Sequence, residues 1–149
     1  MNPTNPVVKL CADGMKAEAE GRGADAKALF EQAWRERVDD FDACVAAHYI
    51  ARHQPTADDE LEWNRRALAH ADSVADDRVQ SFYPSLYLNL AHSLEKVGAT
   101  VEACELYSTA AIKLDGQPDT PYTRLVRLGI VTGRQRACAT VAASLEDHL

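Results

Sequence analysis

The chain is expected to fold as an all-α stack of antiparallel helix pairs, and three observations lead there. A five-slot pattern at offsets 0, 3, 4, 7 and 8 occurs three times. It reads Ala26, Leu29, Phe30, Ala33, Trp34, then Glu60, Trp63, Asn64, Ala67, Leu68, then Ala103, Leu106, Tyr107, Ala110, Ala111. Those offsets put side chains on one stripe of a helix. The first two copies are 34 residues apart and the third follows after 43, a near-fixed period of the kind that stacked helical repeats produce. The composition, 149 residues with 46% apolar and 26% charged, is that of an ordered globular chain long enough to bury about two thirds of its unfolded surface. The expected organisation is a disordered lead over residues 1–6 and one domain over 7–149. Its repeats span about 7–38, 41–73 and 75–115, with capping helices over 121–147.

Each element follows from local chemistry. After the prolines of the lead, a first helix runs from about Val7 to Glu20. Gly21 and Gly23 then supply a turn, because glycine accepts the left-handed backbone past a helix end at least cost. A second helix covers about Ala24 to Arg37. Asp39, Asp40 and Asp42 offer carboxylates to the orphan donors of a third, about Asp42 to His53, which Pro55 stops. Thr56, with Asp59 three residues on, caps a fourth reaching about Asp72. Val79, Phe82, Tyr83, Leu86 and Leu90 fall at helical spacing, so one long helix is expected over about Ala75 to Val97, bent at Pro84. The other reading is two pieces, with Pro84 opening the second. Gly98 ends that helix and a sixth runs from about Thr100 to Leu114. Asp115 to Pro121 form a loop, a seventh helix reaches about Thr132, Gly133 interrupts, and Ala137 to Leu145 make an eighth.

Aligning the first helix of each pair matches Leu10, Cys44 and Tyr87, then Gly14, His48 and Ala91, then Ala17, Ala51 and Leu94, then Gly21, Pro55 and Gly98. With the small and aromatic slots of the second helices, the run from Val7 to Asp115 resembles the tetratricopeptide repeat. The third unit, with Tyr87, Leu90, Ala91, Leu94, Gly98, Ala103, Tyr107 and Ala110, is the best match. His48, Glu60, Asn64 and Asp13 depart from the pattern. The resemblance implies a right-handed superhelix of about seven or eight helices whose first helices line a concave surface presented to peptides or other proteins. Carried over residue by residue, it places Met15, Tyr49 and His92 in one groove row. Asn89, Arg52 and Lys96 fall in neighbouring rows. A groove with Met and Tyr offers adaptable contact area with a polar tip, which suits a short peptide or an apolar helix. Packing of Tyr49 and His92 between neighbouring helices is the competing reading.

The net charge of −7 and isoelectric point near 5.1 repel phosphate backbones and anionic lipid, so nucleic acid and membrane are not expected partners. No charged-then-apolar leader opens the chain, which fits a cytoplasmic protein. Cys11, Cys44, Cys104 and Cys138 are scattered, with no C-x-x-C pair, and are expected to be buried free thiols. A disulfide or redox role is the alternative. His48 and His53 are five apart and off one helix face, so no metal site is expected, nor any cofactor. No phosphate loop, nucleophile elbow or dinucleotide glycine run is present. The basic pairs Arg65 with Arg66 and Arg134 with Arg136 read as solvated, salt-bridged faces.

The expected function is therefore a non-catalytic protein-interaction module holding a peptide or helix of a partner. Phe82 and Tyr83, on an overhang of the long helix, offer a homodimer contact as a second possibility. A small-molecule sensor or enzyme using Tyr49, His92 and Arg52 is a third.

Overall fold

The computed structural model describes residues 4–147. Within them the chain forms seven α-helices and two 3-10 turns, with no strand. They fall into two compact units, Met1–Val79 and Gln80–Leu149.

The first unit holds α1 (Pro6–Ala19), α2 (Gly23–Arg35), α3 (Asp40–Ile50) and α4 (Ala57–Asp72). Part of the expected disordered lead is ordered, while residues 1–3 lie outside the described range. Asn5 Oδ1 accepts from the backbone N–H of Val7 at 2.8 Å and of Val8 at 3.3 Å, so Pro6 sits in the first turn, where its missing donor is no loss. The Asn5 amide also donates to Asp42 Oδ1 at 2.8 Å. α3 starts at Asp40, because Asp39 is the residue that caps it, accepting from Asp42 N. Asp42 is then inside the helix and buried, its other oxygen accepting from Val38 N at 3.1 Å.

α1 ends at Gly21, which takes φ of 77° while Arg22 N donates back to Ala17 O at 2.8 Å. Ala17, Ala26, Phe30 and Ala33 are fully buried. Gly14 lets the Phe30 ring lie against the α1 backbone. Asn64, one of the departures from the repeat pattern, is buried. Beside it Trp63 meets Trp34 edge-on at 5.0 Å, with Arg37 over Trp34 and Arg66 over Trp63.

The second unit begins differently from the leading expectation. No single helix covers 75–97. A 3-10 turn, Asp77–Phe82, leads into α5 (Tyr83–Lys96), and Pro84 lies in the first turn of α5. Mid-helix, Pro84 would break a hydrogen bond and press on the preceding turn, whereas at a helix start its fixed φ is already suitable. The overhang expected for Phe82 and Tyr83 is thereby absent. Phe82 is 8% exposed, and Tyr83 is half-buried, stacked on Tyr87 at 6.0 Å with Lys113 over its ring.

α5 ends as α1 does, on a glycine: Gly98 has φ of 86° and Ala99 N donates to Leu94 O at 2.9 Å. α6 (Thr100–Leu114) then packs on α5, and Ala103, Tyr107 and Ala110 are buried as Ala26, Phe30 and Ala33 are in α2.

One helix, α7 (Pro121–Glu146), stands where two were expected. It opens on a capping box between Thr120 and Thr123 and runs through Gly133 without a break. Gly133 is required for a close approach: a Cβ there would lie 2.8 Å from Tyr107 Cδ1, with Cε1 and Cζ closer still. Glycine inside a helix costs only about 1 kcal/mol relative to alanine, and admitting the Tyr107 ring offsets it. α7 buries Val126 and Ile130 against Ala110 and Leu114 of α6, and Tyr122 bonds Ser85 of α5.

The thiols also divide. Cys11 and Cys44 are buried and free as expected, while Cys104 and Cys138 form a disulfide that ties α6 to α7. The expectation of four free thiols is corrected because the uninterrupted α7 brings the two Cα atoms to 5.0 Å across 34 residues of sequence.

Candidate functional site

The groove residues expected from sequence divide between the two units, three in each. In the first, Met15 on α1 is half-buried and Tyr49 on α3 is 7% exposed, its ring stacked on Phe30 at 5.2 Å. Tyr49 is thus engaged in packing within its unit. Arg52, in the 3-10 turn after α3, sets Nη2 3.1 Å from Glu18 Oε1, an ion pair without hydrogen-bond alignment. The second oxygen of Glu18 meets His53 Nε2 at 2.8 Å. Glu18 therefore engages both cationic-type side chains at that end of the unit.

The second unit brings two of its three expected residues to one place. Asn89, His92 and Lys96 lie on α5, Asn89 half-buried and the other two exposed. His92 and Lys96 share a concavity of about 290 Å³ with Glu95 and with Arg136 of α7. Arg136 is fixed by a bidentate pair: Nε to Glu95 Oε2 at 3.0 Å and Nη2 to Glu95 Oε1 at 3.1 Å. The Tyr107 hydroxyl donates to the same Glu95 Oε1 at 2.6 Å. The Arg136 guanidinium, with help from the Tyr107 hydroxyl, holds the Glu95 carboxyl below its usual range, against the opposing effect of burial. Burial and the adjacent carboxylate push the Tyr107 phenol well up, so it remains a donor at any physiological pH. With Lys96 and Arg136 against Glu95, the concavity carries one net positive charge when His92 is neutral.

Arg136 is a residue that sequence reasoning placed on a solvated face and did not assign to the site. Its partner lies 41 residues away, and the spacing of Gly129 and Arg136 along one side of α7 shows only once α7 is known to be unbroken. The expectation of salt-bridged basic pairs holds for Arg66 with Glu62 and for Arg136. Arg134 has no ion pair among the described residues.

Cys11, Cys44 and His48, whose acidity is also strongly displaced, are buried in the interior. Burial pushes the Cys11 and Cys44 thiols up to about 12, away from the reactive thiolate. Burial, and secondarily the Arg52 charge, take His48 down to about 4. Among the described residues no three His, Cys, Asp or Glu side chains converge as metal ligands would, and no helix is long and apolar enough to cross a membrane. Comparison with protein families, curated proteins and solved structures finds no match to this chain.

Proposed function

We propose that this protein is a non-catalytic protein-interaction module built from tetratricopeptide-like helix pairs, and that it holds a short segment of a partner protein. The observation that carries the reading is the meeting of His92 and Lys96, two of the residues expected to face a ligand, with Arg136 in one open concavity. Three polar heads converge there, and Arg136, held by a bidentate carboxylate, meets a peptide carbonyl or carboxylate without further ordering of its own side chain. The burial of matching alanine and aromatic slots in α2 and α6, and the matching glycine turns at Gly21 and Gly98, support the repeat assignment. Non-catalytic character is supported by the placement of Cys11, Cys44 and His48, which pack in the interior with their reactive forms disfavoured.

The test is selection of a randomised peptide library on the immobilised full chain, followed by titration of recovered peptides against wild type and the double variant His92→Ala with Lys96→Ala. Both substitutions are at exposed positions and should leave the unfolding midpoint within the usual surface range. Saturable binding weakened about tenfold or more in the variant supports the site. Recovered peptides that bind both proteins equally, or a library that yields none, would overturn it.

A further inference from the structure

The concavity above lies on the α5 side of α7. The other side of the same helix, facing α6, carries a second and larger groove of about 480 Å³. Its floor is Ala111 and Ile130, and its apolar walls are Ile112 of α6, 72% exposed, and Val131 of α7, 46% exposed. Leu125 and Leu128 continue the apolar surface from Val131 at offsets of three residues across the outer face of α7. Neighbouring exposed apolar side chains of this kind make a candidate docking surface.

Charge says what kind of partner fits. Residues 120–145 contain four arginines and no aspartate, glutamate or lysine, in a chain whose net charge is −7. Two of those arginines are neutralised locally, Arg124 by Asp119 at 3.0 Å and Arg136 by Glu95. The remaining two, Arg127 and Arg134, line the α6–α7 groove, and neither makes an ion pair or hydrogen bond among the described residues. They are seven residues apart on α7, which puts them about 10.5 Å apart along the axis on nearly the same side. Asp115 is the one carboxylate lining the groove. The disulfide Cys104–Cys138 joins the two helices that form the walls, so the groove is held open before any partner arrives.

We infer that the α6–α7 groove is a docking site for an acidic amphipathic helix of a partner protein. Such a helix sets apolar side chains against Ile112, Val131 and Leu128, and carboxylates seven residues apart against Arg127 and Arg134. A symmetric pairing of α7 with α7 does not fit, because it brings the unpaired arginines of one copy against those of the other. An anionic membrane fits less well than a helix. The groups lining the site converge in a groove, which a single helix can enter and a lipid surface cannot follow. The inference stands apart from the site at His92 and Lys96.

The test is fluorescence anisotropy of the full, oxidised chain with a labelled helical probe peptide that carries leucines on one stripe and glutamates flanking it at seven-residue spacing. Saturable binding is expected, weakened about tenfold or more in the double variant Arg127→Glu with Arg134→Glu, and restored when the probe glutamates become lysines. The variant His92→Ala with Lys96→Ala should bind the probe as wild type does, which keeps this site distinct from the one above. No saturable binding up to about 200 µM probe, or equal binding by the charge-reversed variant, would overturn the inference. Binding of phosphatidylserine vesicles in place of the probe, lost in the same variant, would overturn it in favour of a membrane surface.

Discussion

Replacing Gly133 by alanine separates two accounts of the same residue. If Gly133 were a break between two helices or an idle helical glycine, alanine would add about 0.8–1.0 kcal/mol of helix propensity. The structure predicts the opposite sign. A Cβ at Gly133 meets three carbons of the Tyr107 ring inside 3.0 Å, and that ring is 1% exposed with its hydroxyl fastened to Glu95 at 2.6 Å. Neither the ring nor its hydroxyl can yield cheaply, because the same Glu95 also holds Arg136. Overpacking a core costs about 1–3 kcal/mol, to which is added weakening of a charge-assisted hydrogen bond worth up to about 2 kcal/mol. Set against the propensity gain, the net expectation is a loss of about 1–3 kcal/mol.

Urea unfolding followed by far-UV circular dichroism measures this, with Gly23→Ala as control, since nothing lies within 4 Å of a Cβ at Gly23 and that variant should be neutral or mildly stabilised. The decisive arm is a double-mutant cycle with Tyr107→Leu. Removing the ring edge should abolish the penalty, so that Gly133→Ala becomes neutral or stabilising in that background. A stabilising Gly133→Ala in the wild-type protein would refute the close approach and, with it, the account of why α7 is unbroken.

Further outcomes follow from other parts of the molecule. The Cys104–Cys138 bridge closes a loop of 34 residues, and Cys104→Ser with Cys138→Ser should cost the second unit about 3–4 kcal/mol by loop-closure entropy, read as a lower unfolding midpoint under oxidising conditions. Cys11 and Cys44, with thiols pushed up to about 12 and buried, should resist a thiol reagent in native buffer and react fully only in denaturant, so rapid native labelling would contradict their placement. His48 is held neutral with its pKa lowered to about 4, so the unfolded chain binds more protons between that value and the ordinary 6.5. Its contribution is therefore complete above about pH 6.5 and is lost as pH falls toward 4, by a few kcal/mol. A His48→Gln variant should flatten that part of the stability profile.

Much of the helical order was legible because it rests on short-range chemistry. Gly21, Gly98 and Thr56 act within a few residues of themselves, and the structure places turns and a helix start there. Pro84 and Gly133 were harder for the same physical reason taken in two directions. A proline is equally compatible with a bend and a start, and only what precedes it decides. A glycine is equally compatible with a break and a close approach, and only the facing side chain decides. The bridge between Cys104 and Cys138 depends on both, since it forms once α7 is continuous and packed on α6.

The candidate site follows the same logic. His92 and Lys96 were expected at a groove from the resemblance to the repeat, and both lie on one helix. Arg136 could not be placed in this way, because its position relative to α5 depends on helical phase carried through Gly133. Once that phase is known, three of the four arginines of α7 divide by angle. Arg136 turns toward α5 and its carboxylate, and Arg127 and Arg134 turn toward α6, where no ion pair forms. In an acidic chain, leaving two cations beside exposed Ile112 and Val131 gives no evident gain to folding. A charged pair retained at a concave apolar face is explained if its counter-charges arrive with a partner, and the salt dependence of probe binding is where that explanation is exposed to failure. Raising ionic strength should weaken the wild-type complex and, by screening the repulsion between probe and protein glutamates, strengthen the charge-reversed protein's residual binding.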